Sequence, residues 1–201
     1  MSEFLLFMQL GFRHIVDVEA LDHILFLVAL AAIYRFRDFR RILWVITAFT
    51  VGHSITLALA VTNVLTLPSA IIEFLIPVTI VATGIENLAV RDREAGGWGG
   101  RYRPVFAGIF GLVHGAGFAN YLKAMFVEHI AVPLFGFNVG IEAGQLVVLA
   151  AIAVVFYVID ALLRRLRRSE AQWEPLRARV IAVSVLVVAV GSAWAIERRP
   201  W

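Results

Sequence analysis

Long apolar runs separated by short polar segments dominate this sequence. Each run is almost uncharged, and Gly, Pro or clustered Arg mark the connections between them. A helix needs about 20 apolar residues to cross a bilayer, and these runs are of that order. The pattern predicts an all-α polytopic membrane protein, a bundle of about six transmembrane helices over residues 15–34, 42–62, 69–90, 104–126, 133–163 and 180–196.

Composition agrees with this interpretation. The 201 residues are 61% hydrophobic and only 16% charged, which is unlike a soluble domain. We therefore expect a single transmembrane domain over residues 1–201. The chain has no cysteine, which excludes thiolate metal sites, disulfides and cysteine nucleophiles. Residues 1–14 lack a basic segment and a small-residue cleavage site, so they do not resemble a cleaved signal peptide.

Basic residues are concentrated in every second connection between the runs. The connections after the first, third and fifth runs hold 14 of the 18 Lys and Arg residues, and the connections after the second and fourth runs hold none. Cytoplasmic loops of membrane proteins carry this excess. We therefore predict that the odd-numbered connections face the cytoplasm and that both termini face outside. Because the basic residues follow the predicted side of each connection so strictly, membrane topology explains them, and we expect no nucleic-acid binding.

Three histidines within the apolar runs lie at a common predicted depth. His23, His53 and His114 are each 11 or 12 residues from the nearest arginine of an inner connection. At 1.5 Å per residue this is roughly 16–18 Å, close to the middle of a hydrocarbon core about 30 Å thick. Asp22 adjoins His23. Because imidazole binds nickel, cobalt and zinc well, we predict a site for a divalent transition metal at the midplane.

Further polar side chains share faces of the same predicted helices. We interpret them as a pathway for an ion, or as groups that support the histidines: Thr50, Ser54, Glu73, Glu86, Asn87, Asn138 and Glu142. Glu73 and Glu142 are predicted above the histidines, toward the outside, and Glu86 is predicted below them.

Structural interpretations of the same residues stay open. The histidines could be hydrogen-bonded across helices without binding metal, and Glu73 and Glu142 could be interfacial carboxylates without a role. The Glu86–Asn87 pair could cap a helix at the cytoplasmic end. Thr50 and Ser54 could bond only the carbonyls four residues earlier.

Glycines recur every fourth residue in two of the runs. They form one ridge in the fourth run and one in the fifth, at Gly111 and Gly115 and at Gly136, Gly140 and Gly144. Such ridges let membrane helices approach closely. We expect them to pack helices within the bundle or to join copies in a homo-oligomer.

Five segments resemble, in order, the motifs of the HupE/UreJ family, in its second branch. They read GFRHI…LDHILFL, TAFTVGHSITLALA, IEFLIPVTIVATGIENL, FGLVHGAGFA and LFGFNVGIEAGQL, and they cover residues 11 to 148. The resemblance implies a small multi-pass protein of the bacterial cytoplasmic membrane that acts as a nickel or cobalt permease. It also implies that Asp22, His23 and His114 handle the metal, with His14 upstream. On a straight helix His14 would lie about 13 Å above His23.

Three functions fit these observations. The leading one is a membrane transporter for a nickel- or cobalt-like divalent ion, which enters past Glu142 and Glu73 and leaves past Glu86. The second is an intramembrane hydrolase of the zinc type acting on a lipid, with Asp22 or Glu142 as general base and no other catalytic residue assigned. The third is a structural or sensory membrane subunit, in which the polar cluster holds the helices together.

Overall fold

The computed structural model describes residues 2–17, 20–35, 38–89, 102–123, 125, 130–166 and 174–201. Within these residues the chain is all-helical, and its helices are α1 (Glu3–Val16), α2 (Leu21–Ala31), α3 (Phe39–Val61), α4 (Ser69–Ala89), α5 (Tyr102–Lys123), α6 (Ala131–Leu166) and α7 (Pro175–Glu197). By length and composition, α3, α4, α6 and α7 can cross a membrane. The all-α membrane class is confirmed, while the number of six crossings stays a prediction.

The first apolar run is not the single helix predicted over 15–34. It contains the end of α1, a break and the shorter helix α2. Asp17 ends α1 with an extended backbone (φ −67°, ψ 133°), and its carbonyl accepts the N–H of Ala20 at 3.0 Å. Asp is a poor helix-interior residue because it favours caps and turns. The break turns the chain between His14 and His23, so the straight-helix geometry does not apply.

Two pairs of helices run parallel. In the first pair α1 packs along α6, with Phe4 against Gly136 and Ile15 against Gly144. In the second pair α3 packs along α5, with the backbone of His53 against Gly115. The third pair, α4 with α7, is antiparallel. These directions match a chain that reverses at each connection between the predicted runs.

The glycine ridges bring helix backbones into contact within the chain. A Cβ atom at Gly111 would overlap the carbonyl oxygen of Phe49, and one at Gly140 would overlap that of Met8. The expectation of close packing within the bundle is thus confirmed. These faces are already covered by α3 and α1, so they do not provide the homo-oligomer contact that the sequence also suggested.

Substitution of Gly111 by alanine tests this packing. Gly108, on the same helix, is the matched control, because a Cβ atom there would lie 3.5 Å from the Ala48 carbonyl oxygen, an ordinary contact. We expect Gly111→Ala to lower the free energy of unfolding by about 1–3 kcal/mol, since it forces α3 and α5 apart. Thermal unfolding in detergent, followed by circular dichroism, measures this. Equal stability of the Gly108→Ala and Gly111→Ala proteins would contradict the packing.

Arginines from two of the basic connections meet at one end of the bundle. Arg35, after α2, donates to the Glu174 carboxylate at 2.7 Å. Arg179, in the first turns of α7, donates to the Asp160 carboxylate at 2.5 Å and to the Ala32 carbonyl at 3.1 Å. The connections after the first and fifth runs therefore lie at the same end, as the charge pattern predicts for one side of a membrane.

Candidate metal centre

Three histidines from three helices converge inside the bundle. His14 of α1, His23 of α2 and His53 of α3 each offer one ring nitrogen, and these atoms lie within 4.8 Å of one another. His23 and His53 are buried, and His14 is half-buried. Metal–nitrogen bonds are about 2.0–2.1 Å long, so binding one cation requires a contraction of only about 1 Å.

The members of this cluster differ partly from those predicted by depth alone. His14 does not lie about 13 Å above His23, because their ring centroids are 4.7 Å apart across the break between α1 and α2. His114 lies beside the cluster, with its ring centroid 5.3 Å from that of His23. Together, His14, His23, His53 and His114 form what we call the histidine cluster.

The histidine cluster contains several buried nitrogens that lack hydrogen-bond partners among the described residues. They are His14 Nε2, His23 Nε2, both ring nitrogens of His53 and His114 Nδ1. A buried polar atom left unpaired costs about 1–3 kcal/mol. A purely structural cluster would be expected to satisfy these atoms within the protein. The unpaired nitrogens instead provide lone pairs that a metal ion could use.

Asp22 determines which nitrogen of His23 is available. Asp22 Oδ1 accepts the backbone N–H of His23 at 2.9 Å and lies 3.1 Å from the ring atom Nδ1. A carboxylate only accepts hydrogen bonds, so Nδ1 carries a proton, and in a neutral ring Nε2 carries the lone pair. Carboxylates commonly orient metal-binding histidines in this way.

Thr79 of α4 contacts one ring nitrogen of His114. The Thr79 hydroxyl donates its single proton to the Ile76 carbonyl at 2.7 Å, and it also lies 3.1 Å from His114 Nε2. When the hydroxyl donates to Ile76, it accepts from His114 Nε2, and Nδ1 then carries the lone pair. His114 Nδ1 is buried and has no hydrogen-bond partner among the described residues.

Thr50 and Ser54 have separate partners near His53. Thr50 donates to Gln145 Oε1 of α6 at 2.9 Å, so it does not bond the carbonyl four residues earlier. Ser54 does make that local bond, to the Thr50 carbonyl at 2.6 Å. Thr50 thus ties α3 to α6 just below His53, whereas Ser54 is satisfied within its own helix.

The carboxylates predicted above the cluster do not touch it. Glu142 accepts a hydrogen bond from Thr47 at 2.6 Å, and Thr47 lies six residues nearer the start of α3 than His53. The Glu142 carboxylate is therefore between His53 and the start of α3, on the side of His53 opposite to the one predicted. Glu73 is exposed in the second turn of α4, and no contact joins it to the histidines within the described part of the chain.

Asn138 lies in α6 near the cluster. Its amide group donates to the Leu134 carbonyl at 2.8 Å. Its Oδ1 atom is buried and has no hydrogen-bond partner among the residues that the structure describes. This oxygen is suited to accept a hydrogen bond from a histidine ring N–H or to approach a cation.

Glu86 and Asn87 form a polar network at the carboxyl-terminal end of α4. Glu86 accepts from Tyr102 and from Arg103, and Arg103 also donates to Asn87 Oδ1 at 2.9 Å. Asn87 in turn donates to the Ala29 carbonyl at 2.6 Å. The network joins α2, α4 and α5, so these residues do more than cap one helix.

A small cavity of about 70 Å³ is lined by Glu86 and Arg103 of this network. Phe26 and Phe110 line the same cavity. The Phe26 ring centroid is 5.6 Å from that of His114. Phe26 thus contacts both the cavity and the histidine cluster.

Two residues that were not among the predicted site residues contact members of that set. Thr79 orients His114, and its position on one helical face with Thr83 and Glu86 is a signal that the sequence carries. Arg198 lies 3.9 Å from Asp22 Oδ2. It follows the last helix, where sequence alone indicates only an interfacial arginine, so no pattern links it to Asp22.

The fold and the cluster define a helical membrane protein with a candidate transition-metal site. The family model described as HupE / UreJ protein matches residues 1–198. The chain therefore belongs to the HupE/UreJ family of nickel/cobalt permease-like membrane proteins, which confirms the resemblance found over residues 11 to 148. Comparisons with curated proteins and with solved structures gave no match.

Proposed function

We propose that this protein carries a divalent transition-metal ion, of the nickel or cobalt type, across the membrane through the histidine cluster. The observation that carries the proposal is the group of buried, unpaired nitrogens on four neighbouring histidines. Intramembrane polar groups of this kind are costly and usually serve a pathway. Family membership supports nickel or cobalt as cargo ahead of zinc.

Each member of the cluster has a distinct role in this proposal. His14, His23 and His53 hold the ion first, because their nitrogens already lie within 4.8 Å of one another. Asp22 holds the His23 ring and offsets part of the cation's charge. His114 receives the ion next, through Nδ1.

In this proposal the Arg103–Glu86 ion pair closes the inner exit. An ion that leaves past Glu86 passes the cavity lined by Phe26 and Arg103. The charge of Arg103 repels a cation, and its guanidinium is already paired with Glu86. Release toward the inner side therefore requires the Arg103–Glu86 ion pair to open. Glu142 and Asn138 remain candidate pathway residues on α6, and Glu73 remains a candidate at the outer rim.

We also propose that the protein lies in the bacterial cytoplasmic membrane with both termini outside. The alternating helix directions and the shared end of the arginine-rich connections support this orientation. Cysteines introduced at Ser2 and Val64 should react with a membrane-impermeant thiol reagent in intact cells. A cysteine at Gly97, which is outside the described residues, should not. Labelling only at position 97 would show the opposite orientation, with both termini inside.

Uptake into proteoliposomes tests the proposed function. Vesicles containing the purified protein should accumulate radioactive nickel or cobalt faster than protein-free vesicles, and excess unlabelled ion should compete. Family membership favours this outcome over the intramembrane hydrolase. A protein that retains one non-exchanging metal ion and shows no uptake would contradict transport and favour the hydrolase.

A further inference from the structure

The last residues of the chain fold against the bundle at the end where α4 begins. Trp201 packs on Phe74 of α4, with ring centroids 5.3 Å apart. Arg198 lies over the Trp194 ring at 5.4 Å and reaches Asp22 Oδ2 at 3.9 Å. Contacts with two other helices therefore hold residues 198–201 in place, and we call these residues the carboxyl-terminal segment.

The two oxygens of Asp22 have different partners. Oδ1 contacts the His23 backbone and ring, and Oδ2 faces the Arg198 guanidinium. Both side chains are partly exposed, Asp22 at 21% and Arg198 at 34%. Because α7 runs antiparallel to α4, Arg198 approaches Asp22 from the end of the bundle that we propose to be outside. Oδ2 is thus the Asp22 oxygen nearer to an ion arriving from outside.

We propose that Arg198 is a tethered counter-cation, which neutralises Asp22 when the histidine cluster is empty and competes with an arriving metal ion. This inference rests on the proposed function. A guanidinium and a metal ion at neighbouring positions repel each other and share one carboxylate. By thermodynamic linkage, the Arg198–Asp22 pair lowers the affinity for metal by the same factor by which bound metal lowers the stability of the pair.

The competition makes Arg198 a residue that sets the affinity of the site. Because the pair is partly exposed, its contribution corresponds to an affinity change of about two- to fivefold. Added salt should reduce this change, since it screens exposed charges.

Nickel binding to the purified full-length protein tests the competition. Equilibrium dialysis in detergent would compare wild type, Arg198→Gln and the control Arg199→Gln, which removes the charge of an exposed neighbour. We expect Arg198→Gln to bind nickel about two- to fivefold more tightly, with less difference at high salt, and Arg199→Gln to match wild type. Unchanged or weaker binding by Arg198→Gln overturns the proposal.

A double-mutant cycle in metal-free protein separates this inference from the proposed function. The midpoints of thermal unfolding would be compared for Arg198→Gln, Asp22→Asn and the double variant. Non-additive shifts are expected because the two side chains interact. Additive shifts overturn the ion pair whatever the metal result. If the shifts are non-additive but the wild-type protein binds neither nickel nor cobalt, the ion pair exists, and both the proposed function and the competition are overturned.

Discussion

Replacing His53 with leucine is expected to abolish metal binding and, at the same time, to stabilise the metal-free protein. His53 is fully buried, and neither ring nitrogen makes a hydrogen bond of good geometry with the described residues, although Asn138 lies close to the ring. Leucine removes this unpaired polar group, which should raise the free energy of unfolding by about 1–3 kcal/mol. Loss of a direct ligand should exceed the roughly 10- to 100-fold loss of affinity that follows removal of a supporting residue.

Opposite changes in affinity and stability distinguish a ligand from a structural histidine. Metal per protein, by mass spectrometry, and thermal unfolding of metal-free protein would be measured on the same preparations. Leu57→Ala is the matched control, because Leu57 is also fully buried and lies one turn further along α3. It should lose stability and keep its metal. If His53→Leu is destabilised and retains full metal, His53 is a structural residue.

Asp22→Asn is expected to lower metal affinity by about 10- to 100-fold while expression stays near normal. Asparagine keeps an oxygen that can accept the His23 Nδ1 proton, so the ring orientation survives. It loses the negative charge that offsets the cation. A neutral amide is also easier to bury than a carboxylate, so folding should tolerate the change.

Glu142→Gln is the control for Asp22→Asn. Glutamine still accepts the hydrogen bond from Thr47, and residue 142 lies outside the histidine cluster. Metal content should therefore stay near that of wild type, although uptake can fall if Glu142 lines the pathway. Titration of nickel into the two variants and wild type, side by side, measures the difference. If Asp22→Asn binds nickel as well as wild type and Glu142→Gln does not, the metal site lies away from His23.

Depth along a helix was predictable from the sequence, because the helical rise is constant. That rule placed His23, His53 and His114 at one level, and all three lie in or beside one cluster. It failed for His14 because Asp17 ends α1 without a nearby proline or glycine to signal the break. Local sequence thus determined depth within a helix but not the turn between two helices.

Contacts between helices were less predictable from the sequence than the helix face on which each residue lies. Periodicity placed Thr50 and Glu142 on inward or shared faces, but it could not show how α3 and α6 cross. Their crossing joins Glu142 to Thr47 and Thr50 to Gln145, which puts the Glu142 carboxylate nearer the start of α3 than His53. Such pairings depend on tilt and rotation, which packing against neighbouring helices sets.

The parallel helix pairs also constrain the order of biosynthesis. α1 packs its backbone along α6, and α3 packs along α5, so each early helix has a partner that the ribosome makes much later. Membrane helices insert first and associate afterwards. A nascent chain that ends before α6 contains His14, His23 and His53 but lacks the surface that holds α1 in place. The histidine cluster is therefore completed only late in synthesis, after its own residues have long been in the membrane.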